Sequence, residues 1–355
     1  MKPQKKGLVI GSILIILIVV IVFGLNYFQT KHLDKGWNYL NNNQYQMAIS
    51  EFNLEKEKNS DQYWVYAGLG KAYELLGDFE EAQYNYKKAI DLDSTIDYSY
   101  RGLGNISLNM GEYDLAQEYA EEAIKRQDFS HSKNYLLLGQ VFFKKGNYER
   151  AQEEFKKAIE IEPGVDSGYI GFGFNVLHSE KCYLKGECSL ATNAFKIALT
   201  LNPNSAYSHY GLGHSYTLQN ESLDLALKEI TTAIEMDGSN PYFYIGLGQT
   251  YFLLANYKDA KIAYLKAEEL IGNHQDGRIN GGLGRTYYAL GDYENAEKYL
   301  GRYYLDKPHV RNFELHARAL YKLGRIEEAN TQFAYLAENY PDYDVSDREQ
   351  DIKDN

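Results

Sequence analysis

The chain has 355 residues, 37 of them basic and 49 acidic, for a net charge of −12. That balance argues against nonspecific nucleic-acid binding, which draws its affinity from neutralised phosphates. Glycine (30) and tyrosine (34) are plentiful and proline (6) is scarce, the composition of short helices joined by tight turns.

The first six residues carry Lys2, Lys5 and Lys6, and no charge occurs from Gly7 to Leu25. At about 1.5 Å per helical residue this apolar run is long enough to cross a bilayer. No small-residue cleavage site lies between Phe23 and Lys31, so residues 7–25 are expected to act as an uncleaved signal anchor. The lysine bias places the N-terminus in the cytoplasm and the remainder outside it. Tyr27 and Phe28 suit the bilayer interface, and no proline interrupts Gly7 to Asn41, which predicts a stiff connection between the anchor and the first helix beyond it.

Beyond the anchor a short phrase recurs: Tyr66-Ala-Gly-Leu-Gly70, Tyr100-Arg-Gly-Leu-Gly104, Tyr169-Ile-Gly-Phe-Gly173 and Tyr244-Ile-Gly-Leu-Gly248. An alanine, an apolar residue and usually a second alanine come after it at fixed spacing, as in Ala82/Tyr86/Ala89, Ala151/Phe155/Ala158 and Ala260/Tyr264/Ala267. Within each unit, helical periodicity appears twice, broken by Gly77, Gly111, Gly146, Ala255-Asn256 or Gly291. There glycine or asparagine is expected to supply the left-handed helix stop. Pro163, Pro203, Pro308 and Pro341 fall just past second helices. One hairpin cannot bury its apolar face alone, so the hairpins must stack.

This order of Leu-Gly, Tyr, Ala, Phe, Ala and Pro resembles the tetratricopeptide repeat. The resemblance implies an all-α, right-handed α-solenoid of nine hairpins, at about 29–62, 63–96, 97–131, 132–165, 166–205, 206–240, 241–276, 277–309 and 310–343. The first repeat keeps Gly36, Tyr39, Ala48 and Phe52, and the ninth replaces Leu-Gly by His316-Ala317, as terminal units often do. The tail at 344–355 is polar and mostly acidic, leaving the ninth repeat without an obvious cap.

Little in the chain suggests chemistry. Gly281-Gly282-Leu-Gly284 lacks the preceding strand of a nucleotide-binding loop, so these glycines read as packing residues. Paired carboxylates such as Glu153-Glu154 and Glu268-Glu269 read as solvated outer faces. Asn220-Glu-Ser222 is a possible glycan acceptor by pattern alone. No catalytic or metal motif and no cofactor-binding pattern is present. Cys182 and Cys188, the only cysteines, lie in the one large insertion, in the fifth repeat. Three readings stay open: a disulfide, free thiols in a cytoplasmic loop, or a metal site with His178 that lacks an evident fourth ligand.

The resemblance further implies that positions two, five, nine and twelve of each repeat line a concave groove. In that register the middle of the array is aromatic and uncharged: Phe174, Tyr207, Tyr210, His214, Tyr242, Gln249 and Phe252. Its end is basic, with Arg278, Arg285, Arg311, Arg318 and Lys322, interrupted by Glu314. Such an end suits an acidic partner segment, unless the arginines pair with neighbouring glutamates. Some members of the family hold chaperone C-termini with a carboxylate clamp. Arg101 and Asn105 match its first pair, but Leu137, Ser167 and Gly171 stand where it needs asparagine and basic residues, so that role is not carried over. The expected function is a noncatalytic, membrane-anchored adaptor that binds a protein or peptide segment. The alternative is self-association through the ninth repeat.

Overall fold

A computed structural model describes residues 31–126, 131–179, 182, 188–220, 222–272, 276–303 and 310–341. The expected anchor at 7–25, its connection and the tail at 344–355 lie outside them. Among the described residues the regular structure is helical, with no strand, and no helix is long and apolar enough to cross a membrane.

The chain divides into two compact units, Met1–Gly164 and Val165–Asn355. Among the described residues the first holds four hairpins: α1 (31–41) with α2 (Tyr45–Lys58), α3 (Tyr63–Leu76) with α4 (Phe79–Leu92), α5 (Asp97–Asn109) with α6 (Tyr113–Arg126), and α7 (Ser132–Lys144) with α8 (Tyr148–Ile161). Its first helices pack in series, α3 on α5 and α5 on α7.

The second unit holds five: α9 (Asp166–His178) with α10 (Cys188–Leu201), α11 (Ala206–Gln219) with α12 (Leu223–Met236), α13 (Pro241–Leu253) with α14 (Tyr257–Ile271), α15 (Gly277–Ala289) with α16 (Tyr293–Tyr303), and α17 (Val310–Lys322) with α18 (Ile326–Asn339). Here too the first helices pack in series, from α9 to α17.

The glycine phrases are the sockets of an aromatic wedge. Tyr86, on a second helix, stands between Gly70 of its own hairpin and Gly102 of the next, where added Cβ atoms would lie only 2.7 and 2.3 Å from its ring. Phe195 is held the same way between Gly173 and Gly211, and Tyr264 between Gly248 and Gly282. All three rings are buried. Burying one such side chain contributes about 1.5–3 kcal/mol, so each wedge helps tie its hairpin to the next.

The turns obey local chemistry. Gly77 takes φ +80° and Asp78 caps the next helix, accepting from the Glu81 amide. At Ala255-Asn256 the expectation needs correction: Ala255, not the asparagine, takes the left-handed conformation, at φ +56°. The Asn256 side chain is engaged as the N-cap of α14 and accepts from the Asp259 amide, so the strain falls on its neighbour.

The reading of paired carboxylates as solvated holds at Glu80-Glu81, both exposed, but needs correction at Glu153-Glu154. Adjacent helical residues point about 100° apart, so a pair need not share one environment. Glu153 is exposed while Glu154 is buried, with Lys157 Nζ 2.9 Å from its Oε1.

Candidate partner-binding faces

In the second unit the expected aromatic residues divide into two groups. Tyr207 and Tyr242 are 53% and 46% exposed on α11 and α13 and are open to a partner. Phe174, Tyr210, His214, Gln249 and Phe252 are half-buried. Phe174 lies 5.0 Å from Phe195, and Tyr210 lies 4.9 Å from Phe243 and fills the space left by Gly246. His214 stacks on Tyr210 at 5.6 Å, with its Nδ1 buried and without a hydrogen-bond partner. Desolvation, then the nearby His178 and Arg278 charges, lowers its imidazole to about 4. The wedge architecture therefore consumes much of the aromatic surface.

The basic end offers less free charge than its residue types suggest. Arg318 lies in an ion pair with Glu314 of its own helix at 2.7 Å, both side chains nearly buried. Arg278 pairs with Asp276 at 2.6 Å, yet its side chain is 57% exposed and lies over the Tyr242 ring at 4.6 Å. Its guanidinium is held above the ordinary range chiefly by the Asp276 hydrogen bond. Arg285 donates to the Gly281 carbonyl at 3.2 Å and lies over Phe252 at 5.5 Å. Arg311 is exposed and Lys322 half-buried. Glu314 and Asp276 thus sit on, or just before, the arginine's own helix, not on neighbouring repeats.

Cys182 and Cys188 are disulfide-bonded, with Cα atoms 4.5 Å apart, and both are buried beside Val176, Leu177 and Phe195. Neither is a free thiolate for a metal, and the His178 Nδ1 lies 2.9 Å from the Phe174 carbonyl. Among the described residues no cluster of histidine, cysteine and carboxylates could hold a metal ion.

The first unit contains a cavity of about 280 Å³ among α3, α5 and α7 that the repeat pattern alone did not single out. Lys71, Arg101 and Lys133 line it, with Glu74, Asn105 and Gln140. Glu74 accepts from Lys71 Nζ at 2.8 Å and from the Tyr86 hydroxyl at 2.6 Å. Arg101 Nη1 donates to Asp97 and to Asn134 Oδ1 at 3.1 and 2.7 Å, which fixes the guanidinium over Tyr98. Burial acts to raise the Asp97 carboxyl, but hydrogen bonds from Asn134 and His131 and the Arg101 charge outweigh it and hold it below the ordinary value.

Matches to the family described as tetratricopeptide repeat fall at residues 64–96, 99–128, 132–164, 241–274, 277–304 and 315–343, together more than half of the chain. The chain belongs to the tetratricopeptide repeat family. It is 27% identical over 192 residues to the TPR repeat-containing protein MJ1428 of Methanocaldococcus jannaschii, covering 51% of this chain and 32% of that protein. It is 27% identical over 92 residues to Hsp70-Hsp90 organizing protein 3 of Arabidopsis thaliana, covering 26% and 16% respectively. The chain thus spans a third or less of the curated relatives it matches. A tetratricopeptide repeat protein from Parabacteroides merdae aligns with a TM-score of 0.53 at 15% identity, over 73% of this chain and 98% of that one. The type IV pilus biogenesis factor PilW aligns at 0.50 and 18% identity, over 60% and 94%. At these identities the two structures establish the fold alone.

In tetratricopeptide repeat register, the first-unit cavity is lined by the same positions that yielded the second-unit residues. Position two gives Tyr98 and Lys133, position five gives Arg101, and position nine gives Lys71, Asn105 and Gln140. The signal is therefore present in the sequence. Testing Arg101 and Asn105 only against the clamp pattern passes over it.

Proposed function

We propose that this tetratricopeptide repeat protein is a noncatalytic scaffold, held to a bilayer by residues 7–25 with its N-terminus cytoplasmic, and that its second unit binds a segment of a protein partner. The observation that carries the binding role is the exposed pair Tyr207 and Tyr242 on successive first helices, with Arg278 poised over the second ring. Large exposed rings beside an arginine are the residue types that dominate protein-binding energy. The organizing role in the name of the Arabidopsis relative supports an adaptor. The Cys182–Cys188 disulfide supports repeats facing an oxidising compartment, in line with the lysine bias ahead of the anchor.

The test places a photo-crosslinking residue at position 207, 242 or 262 of the full chain in native membranes. Ile262 is 62% exposed on α14, a second helix, and serves as the control. One common adduct is expected at 207 and 242, absent at 262 and lost with Arg278→Glu. Adducts no different from those at 262 refute the binding face. Protease added to intact cells tests the orientation separately: digestion of the repeats is expected, and full protection overturns it.

A further inference from the structure

Two neighbouring surfaces of the first unit lie outside the face described above. The first is aromatic. Trp37 of α1, Trp64 of α3 and Tyr98 of α5 meet edge to face, with centroids 6.1 Å apart for the two indoles and 5.7 and 6.0 Å from each to Tyr98. All three are half-buried, so the cluster is a fixed platform with part of its surface open. The second surface is the 280 Å³ cavity, and Tyr98 belongs to both.

Charge decides what the cavity accepts. Its lining holds three cationic groups, Lys71, Arg101 and Lys133, against one carboxylate, and Asp97 just outside the lining offsets Arg101, which leaves a net positive charge. The lining carboxylate, Glu74, has both oxygens committed, one to Lys71 and one to Tyr86. The Arg101 guanidinium is anchored through Nη1 alone, so its remaining N–H groups are available to a bound acceptor. Lys133 is exposed, and Asn105 and Gln140 add amide donors. A preoriented arginine over an aromatic face, with lysines at its sides, suits a carboxylate. Glu74 in the wall weighs against a phosphate dianion, which would meet like charge at close range.

We propose that this site binds a short protein segment in which a large apolar side chain is adjacent to an aspartate or glutamate. The apolar group lies on the Trp37/Trp64/Tyr98 platform, and the acidic side chain enters the cavity at Arg101 and Lys133. The determinant is an internal acidic side chain, not a chain terminus. This site is separate from the second-unit face, and either can fail without the other.

The two platform indoles are the only tryptophans in the chain, so intrinsic fluorescence reports directly on the site. The full chain in nanodiscs is used to select from a random short-peptide library displayed internally, with no free C-terminus. Enriched sequences made as tryptophan-free, N-acetylated and C-amidated peptides are then titrated by fluorescence. Enrichment of an apolar residue beside an acidic one is expected, with a saturable tryptophan signal. Lys133→Glu, at an exposed position, is expected to weaken binding by roughly tenfold, as is exchange of the peptide's acidic residue for its amide. Tyr207→Ala is expected to leave it unchanged. The proposal is overturned by no enrichment, by a motif without an acidic residue, by equal binding to Lys133→Glu, or by tighter binding of a phosphoserine version.

Discussion

Gly102→Ala isolates the wedge that holds the second hairpin to the third. The added methyl would stand 2.3 Å from Cζ and 2.4 Å from Cε2 of Tyr86, where ordinary contact begins at 3.4 Å, an overlap of about 1 Å. The ring can retreat only by giving up other contacts, because Gly70 crowds its other face and its hydroxyl is tied to Glu74 at 2.6 Å. Overpacking of this kind costs about 1–3 kcal/mol, and losing a hydrogen bond to a charged group adds about 1.5–3. The better helix propensity of alanine returns about 1. The net expectation is a loss of about 2–3 kcal/mol, since shifting the ring relieves part of the clash as it breaks the bond. Because the chain has two units, hydrogen exchange over α3 to α6 in the full chain is the appropriate assay, and a single melting midpoint is not. In a Tyr86→Leu background the same Gly102→Ala change should be neutral or stabilising. Unchanged or slower exchange in Gly102→Ala with Tyr86 intact would refute the wedge.

Two further predictions concern buried ionisable groups. Glu55 is fully buried, with no hydrogen-bond partner on either carboxylate oxygen, at the register where later repeats place Ala89, Ala123 and Ala158. Glu55→Ala should therefore slow exchange in the first unit, by a gain of about 1–3 kcal/mol, and faster exchange there would show that the carboxylate is favourable. His214 has its folded pKa lowered to about 4 from 6.5, so as pH falls between those values the unfolded chain takes up more protons and the second unit loses stability. The loss reaches up to about 3 kcal/mol near pH 4 and grows no further below it. His214→Phe, which keeps a ring against Tyr210, should flatten this dependence in second-unit exchange measured across the window; an unchanged slope would assign it to other groups.

The hairpins were legible because the spacing of glycine, alanine and aromatic residues records the wedge itself. Gly70, Tyr86 and Gly102 recur with the period, and the steric reason is the ring seated between the two glycines. What the spacing could not show was competition for one residue or one ring. Asn256 reads equally well as a helix stop or as a helix cap, and only the turn geometry assigns it to the cap and Ala255 to the strained position. Tyr210 and Tyr207 share one helix and one inner register, but Tyr210 is drawn into the gap over Gly246 while Tyr207 stays exposed. The basic end is rich in arginine, yet Glu314 and Asp276 offset two of those charges at close range. The spacing of Cys182 and Cys188 left three chemistries open, and the packing around them brings the two sulfurs together.

The wedge also explains why the two units can present different surfaces from one repeat pattern. At Tyr86, Phe195 and Tyr264 a ring from a second helix is seated on glycines of two successive first helices, whereas Gly213 and Gly284 meet the aliphatic side chains Ile230 and Leu300. Register positions two and nine of those first helices lie outside these sockets and differ between the units. Position two is Trp64, Tyr98 and Lys133 in the first unit but Tyr207, Tyr242 and Arg278 in the second, and position nine runs from Lys71 and Asn105 to Phe174 and His214. Exchanging the exposed Lys133 should therefore alter recognition far more than folding, whereas changes at Gly102 or Tyr86 should do the reverse. Where a position-nine side chain has been recruited into packing, as His214 has beside Tyr210, it carries a stability cost of its own in the form of an imidazole that resists protonation.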